Sequence, residues 1–448
     1  MPAQFRLALC LFLLGLFSPA RALGLFESYN LALANDPTFR AAIKEHEAND
    51  ANLMIGRSAV LPKVSGGANV ATNRLTNTYT GSVSQNFDNY PSTNNFVQIL
   101  QPLFDLGALA KYKQGMAQKD FGDAKFQSDT YDLLLRTTQV YMDALFVQDQ
   151  IHFLQSESAA FLEQMRTAEK GIKAGESSKI DYLEARTAYD MSISQILEAQ
   201  LQSNDAKRKL GILVGTYDAN QITLDSLGKK YLFYSDLPKD FSELQNIALA
   251  NNLDLKAASF KVEVAKQEIN KNSANFYPQV GAIASWSRQN SYTVATVNVI
   301  SNQTTGGIQA VWPIFSSGET TGQTRQAISL YEKSLEEYEG LKLNTLSDLR
   351  KYYDQTNLFK TKIQILQTSL DSAKEAQRAS VMGVGAGLRS NYDVLVATKN
   401  VFNISKDLAQ AKYAYIMAYL KTRQLSGILR IEDLEHCATS FFPLQAVK

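Results

Sequence analysis

Leu133, Val140, Val147, Leu154, Phe161 and Ala168 step by seven, and Thr137, Ala144, Ile151, Ser158 and Met165 fill the second line of the heptad. The pattern returns in the C-terminal half, with Leu349, Thr356, Ile363 and Leu370 beside Tyr352, Phe359, Leu366 and Ala373. Two such seams predict long coiled-coil helices. Proline breaks helix interiors, and none occurs from Leu103 to Leu237 or from Ile314 to Phe442. A continuous helix from Asp105 to Lys170 would run about 100 Å at 1.5 Å per residue.

Each long helix stops at glycines. Gly171 and Gly175 lead into Ser178-Lys-Ile-Asp181, and Gly383 and Gly387 lead into Ser390-Asn-Tyr-Asp393. Both Ser-x-x-Asp strings fit a capping box, with Asp in place of the usual Glu or Gln. Each half is therefore expected to hold a helical hairpin with a glycine turn at its tip, the return helices ending near Gly211 and Gly427. Glycine and proline punctuate residues 215–240, a link between the halves.

A different texture precedes each hairpin. Residues 63–78 and 279–292 are rich in small and β-branched residues, and Phe96–Gln101 and Gly307–Trp312 alternate, with Gln98 and Gln309 in equivalent places. These are four strand candidates of about ten residues, enough to cross a membrane when tilted. Tyr79–Thr93 and Ser291–Thr304 are expected as polar linkers. Tyr277, Trp286, Tyr292, Trp312 and Phe315 fall near strand ends, where an aromatic girdle belongs. Soluble β-hairpins are the alternative. Four strands cannot close a barrel, which needs about eight, and open edges are not tolerated in lipid. Membrane-embedded strands would therefore demand an oligomer.

The two halves are copies. Ala-Leu-Ala-Asn-Asp at 32–36 returns as Ala-Leu-Ala-Asn-Asn at 248–252, and Leu61-Pro62-Lys63-Val64 as Tyr277-Pro278-Gln279-Val280. Pro102-Leu103-Phe104 returns as Pro313-Ile314-Phe315. Such a long period marks a duplicated half-domain rather than a solenoid. The expected organisation is a secretory signal at 1–22, a first repeat at 23–215, a linker at 216–240, a second repeat at 241–430 and a tail at 431–448. The signal rests on Arg6, the apolar run Leu7–Phe17 and the Ala20-Arg21-Ala22 cleavage site. Its removal takes the net charge from +1 to about −1, which argues against a nucleic-acid partner. Cys437 would then be the one cysteine left, so no disulfide framework is expected.

Catalytic and metal chemistry find little footing. His46, His152 and His436 are the three histidines, and none has H-x-x-H, H-E-x-x-H or C-x-x-C company. His436 beside Cys437 is the one tempting pair, with a plain tail as the default. Gly383-Val-Gly-Ala-Gly387 lacks the Gly-Lys-Ser/Thr of a phosphate loop and fits a hairpin turn. No catalytic, cofactor or metal site is expected.

Signal, duplicated halves, a strand pair and a glycine-tipped hairpin in each half together resemble the TolC family of outer-membrane factors. Asn-Asp-Pro near the start, Leu-Pro-x-Val, Gln-Pro-Leu-Phe, Trp-Pro-Ile-Phe and Gly-x-x-x-x-x-Asp carry the resemblance over roughly residues 24–430. It implies an α+β membrane protein, a homotrimer whose strands form a 12-stranded outer-membrane barrel continued by a periplasmic coiled-coil tunnel. It implies an exit duct serving an inner-membrane ABC or RND-type transporter through a periplasmic adaptor, in efflux or type I secretion. Asp393 matches an aspartate of the family's periplasmic constriction. Some relatives carry a second acid one turn later, where this chain has Val396. Arg389 matches an arginine that ties neighbouring coils shut, with Asp181 on the partner hairpin. Capping alone would account for Asp181, and a solvated charge for Arg389. A soluble periplasmic coiled-coil protein and a stand-alone porin remain the rival readings.

Overall fold

The structure, a computed structural model, describes residues 23–441 apart from 79, 82–84, 176, 217, 219–221, 226–232, 234–236 and 292–297. The signal at 1–22, Tyr292, much of the 216–240 linker and tail residues 442–448 lie outside the described residues. Helices α1 (Leu25–Asn35) and α2 (Pro37–Ser58) lead into strands β1 (Lys63–Asn77) and β2 (Gln85–Phe104). The 69-residue helix α3 (Leu106–Ala174) and its return α4 (Lys179–Val214) follow. The series then runs again: α5 (Phe241–Asn251), α6 (Leu253–Ser273), β3 (Gln279–Asn290), β4 (Ile300–Val311), α7 (Glu319–Gly385) and α8 (Asn391–Leu425). A further helix, α9 (Ile431–Phe441), ends the described chain.

The echoed motif does the same work twice. Ala-Leu-Ala-Asn ends α1 at Asp36, with ψ 118°, and α5 at Asn252, with ψ 125°. Each turning residue still donates its N–H four back, to Ala32 or Ala248. Pro37 suits the first position of the next helix, where its missing N–H leaves nothing unpaired. Asp36 is buried, accepts the Phe39 N–H at 3.0 Å and pairs with Arg136.

Two compact units form, and each draws on both copies. One comprises Lys44–Phe126 and Leu253–Lys342 and holds a four-stranded antiparallel sheet in the order β1-β2-β3-β4. The copies meet at β2 and β3, where Thr93 pairs with Asn290 and Gln101 with Ala282. Among the described residues β1 and β4 are edge strands, each with a ladder on one side only. Most of the first run expected as a polar linker is strand: β2 begins at Gln85, opposite Asn77, and Pro91 lies opposite Thr72. Likewise β4 begins at Ile300, opposite Asn290. Polar residues occupy both faces of these stretches, so no alternation marks them and only the backbone ladder defines them. Trp286 also departs from expectation: it lies within the ladder, opposite Val97 and Thr304. Tyr277 and Trp312 flank the Gln279–Val311 end, where the Trp312 indole donates to the Phe276 carbonyl at 3.0 Å. Among the described residues no helix is long and apolar enough to cross a membrane.

The second unit takes the chain through Ile43 with Gln127–Asn252 and Leu343–Lys448. Its core follows the heptads. Leu133, Thr137, Ala144, Phe161 and Ala168 are buried on α3, as are Leu349, Thr356, Ile363 and Leu370 on α7. Thr356 fits such a seam because its hydroxyl donates to the Tyr352 carbonyl at 2.8 Å. Phe161 packs with Ala185 and Leu395, joining α3, α4 and α8, and Leu244 and Ala248 of α5 pack on Leu349. Fully burying one such leucine contributes about 1.5–3 kcal/mol. Arg423 anchors α9, its Nε donating to Asp433 at 2.9 Å.

Candidate functional site

The hairpin tips are built alike. Gly175, with φ +78°, and Gly387, with φ +70°, take the left-handed conformation that an L side chain resists. Four residues earlier, Gly171 and Gly383 leave room for the returning chain. A methyl on Gly171 would sit 2.3 Å from the Ser177 Oγ, and one on Gly383 2.7 Å from the Arg389 Cγ. Backbone bonds close both turns: Ser177 N–H donates to the Gly171 carbonyl at 3.2 Å, and Leu388 N–H to that of Gly383 at 2.8 Å.

Both reciprocal caps form. Ser178 Oγ accepts from the Asp181 N–H at 3.1 Å, while the Ser178 N–H donates to the Asp181 Oδ2 at 2.8 Å. On α8, Ser390 Oγ accepts from the Asp393 N–H at 3.2 Å, and the Ser390 N–H donates to the Asp393 Oδ2 at 2.9 Å. That N–H, then the Ser390 hydroxyl and the nearby Arg389 charge, hold the Asp393 carboxyl below the ordinary aspartate value. A carboxylate at a helix N-terminus also faces the positive end of the helix dipole. Arg389 Nη1 lies 3.9 Å from the Asp393 Oδ1, with the two side chains 60% and 37% exposed. Within the chain, Arg389 thus reaches its own helix's cap and not Asp181.

Val396 and Tyr392 stand on the exposed side of α8, one turn apart, 50% and 56% accessible. They border an apolar cleft of about 490 Å³ whose walls include Phe161, Ile180, Leu183, Met191 and Leu395. Glu157, at 7% exposure, and Lys399 are among its polar lining. Burial raises the Glu157 carboxyl above its ordinary value, against the opposing pull of Lys399 and Lys406. The heptad pattern of α3 gave no hint of this acid, because Glu157 neighbours Ser158 of the seam without belonging to it. Further along, Tyr413 on α8 donates to the Asp149 carboxylate of α3 at 2.6 Å. Of the histidines, His46 lies between Asp50 and Asp123, a grouping for which only the His46–Asp50 spacing was visible in sequence. Cys437 is fully buried in α9.

A duplicated chain with a membrane-length antiparallel sheet and paired glycine-tipped coiled-coil hairpins defines an outer-membrane channel protein. The family model described as outer membrane efflux protein matches residues 28–216 and 244–427, and the chain belongs to that family. It is 34% identical over 435 residues to the alkaline protease secretion protein AprF of Pseudomonas aeruginosa, covering 96% of this chain and 90% of that one. To the proteases secretion protein PrtF of Dickeya chrysanthemi it is 29% identical, with 94% and 92% covered. To the outer membrane protein TolC of Vibrio cholerae it is 25% identical, with 94% of both covered. Among solved structures, the CmeC outer membrane channel of Campylobacter jejuni superposes with a TM-score of 0.77 at 16% identity, over 93% of this chain and 89% of that one. The chain is thus a TolC-type protein of the outer membrane, an exit duct of the efflux and type I secretion class.

Proposed function

We propose that three copies of this chain close into one passive duct, β4 of each protomer pairing with β1 of the next so that three four-stranded sheets make a 12-stranded barrel. The observation that carries this reading is the pair of free sheet edges in a chain of an outer-membrane family, since lipid tolerates no unpaired backbone. The duct supplies no energy and performs no bond chemistry. Its partners are a periplasmic adaptor, an inner-membrane ABC or RND-type transporter, and outer-membrane lipid. At the tips, Asp393 and Arg389 with Asp181 and Val396 form the periplasmic constriction. The glycine turns at Gly171, Gly175, Gly383 and Gly387 let the hairpins end there.

Cargo is favoured by likeness. The two relatives named for protease secretion, at 34% and 29% identity, stand above the TolC relative at 25%. That ordering supports export of unfolded polypeptides. In cells lacking the chain, a polypeptide otherwise released to the medium should stay cell-associated while sensitivity to small toxic compounds is unchanged. Unaltered polypeptide release with increased drug sensitivity would sink the secretion reading and leave drug efflux in its place.

A further inference from the structure

Helices α2 and α3 touch backbone to backbone in the sheet-bearing unit, and glycines make this possible. A methyl on Gly122 would lie 2.4 Å from the Asn49 Cβ, one on Gly115 2.5 Å from the Asn52 carbonyl oxygen, and one on Gly56 2.9 Å from that of Lys111. Contact this close fixes the rotation of each helix against the other. It brings His46 and Asp50, one turn apart on α2, against Lys119 and Asp123, one turn apart on α3.

The His46 Nδ1 is 3.7 Å from the Asp123 Oδ1, and its Nε2 is 3.9 Å from the Asp50 Oδ2. These separations are too long for hydrogen bonds. The Nδ1–Asp123 separation is close to the spacing of two ligands on one ion, about 3.3 Å for a tetrahedral metal with bonds near 2.05 Å. One ligand atom from each of His46, Asp50 and Asp123 falls within 4.8 Å of the others. The His46 Nδ1 is shielded from solvent and has no hydrogen-bond partner. Its ring is stacked flat on Phe126, centroids 4.6 Å apart at 8°, so the imidazole is already oriented. A positive charge also has its place there: the Lys119 ammonium lies 2.7 Å from Asp123 and 3.4 Å from Asp50.

We propose that His46, Asp50 and Asp123 form a binding site for a first-row divalent metal ion such as Zn²⁺, with Lys119 as the resident cation that the metal displaces. One imidazole and two carboxylates suit a borderline ion better than Ca²⁺ or Mg²⁺, which prefer all-oxygen sets. The bound ion would staple α2 to α3. Displacing a flexible lysine makes the site conditional on metal supply.

The test is Zn²⁺ titration of the untagged, full-length, detergent-solubilised protein by calorimetry, with thermal melting in parallel. Saturable binding of one ion per chain and a rise in Tm with Zn²⁺ are expected. His46→Ala should weaken binding by at least about tenfold, since even loss of an outer-shell partner costs 10–100-fold. Lys119→Met should tighten it, because the competitor is gone. With Co²⁺ as probe, visible absorption bands should appear in the parent and vanish in His46→Ala. Zinc binding unchanged by His46→Ala, or no saturable binding even in Lys119→Met, would overturn the site.

Discussion

Gly427 lies directly against Asn251: a methyl on its α-carbon would sit 2.4 Å from the Asn251 carbonyl carbon and oxygen. The first copy repeats the relationship, with Gly215 against the Asn35 side chain at 2.7 Å. Both glycines are left-handed, at φ +70° and +82°. In each copy a side-chain amide then locks the helix end, Asn35 donating to the Val214 carbonyl at 3.0 Å and Asn252 to that of Leu425 at 2.8 Å. The echoed Ala-Leu-Ala-Asn motif is therefore the seat of the return helix.

Gly427 and Gly387 share φ +70°, yet only Gly427 has neighbours within reach of a Cβ. Gly387→Ala should cost only the left-handed penalty, about 1–2 kcal/mol. Gly427→Ala adds a backbone clash and should cost clearly more, read as a larger drop in Tm by circular dichroism. Equal losses would mean that the Asn251 contact relaxes freely.

Asp149 offers a pH test. Burial raises its carboxyl above the ordinary value of 3.8, opposed by the Tyr413 hydroxyl and by His152 and Lys412. The folded state therefore holds a proton that the unfolded state has released, and this group's contribution to stability falls as pH rises through that interval. Asp149→Asn, which still accepts from Tyr413, should be neutral or stabilising, most of all at pH 7 and above. Tyr413→Phe leaves the acid without its donor and should cost about 1–3 kcal/mol at pH 7. Melting curves at two pH values decide; a Tyr413→Phe loss that is absent at pH 7 would contradict the argument.

The helical seams were legible because a heptad is a constraint restated every two turns, as Leu133 to Ala168 show. Both capping boxes were legible too, since Ser178 with Asp181 and Ser390 with Asp393 act within one turn. The sheet was only half legible. Pairing of Thr93 with Asn290 joins the two copies across the chain, and the wet, two-sided polar stretch from Gln85 carries no period-two signal. His46 and Asp123 were not legible as neighbours, because their approach depends on how Gly115 and Gly122 let two helices settle.

Asp393→Asn should separate capping from charge. Asparagine can still accept the Ser390 N–H, so Tm should change little. The lowered Asp393 value means that its carboxylate supports the tip above the ordinary aspartate value and loses that support as pH falls below that value, through the lowered one. If copies of Asp393 face one another at the constriction, the variant's channels should show weaker cation preference and weaker block by divalent cations. Unchanged selectivity with a destabilised tip would confine Asp393 to capping.

Arg389→Glu places like charges one turn apart with Asp393. If Arg389 also holds a neighbouring coil in the assembled duct, the closed state should loosen and single-channel conductance in planar bilayers should rise. One exposed pair is worth only about 0–1 kcal/mol, but symmetry copies act together. Conductance equal to the parent would leave Arg389 a solvated charge that serves only its own helix.

If the unpaired edges of β1 and β4 compel assembly into a closed duct, the chain has no stable unassembled form in detergent. Native mass spectrometry of the detergent-extracted protein reads its assembly state. A homotrimer with no stable monomer is expected, its three sheets joined edge to edge. A stable monomer or dimer as the dominant species would contradict it.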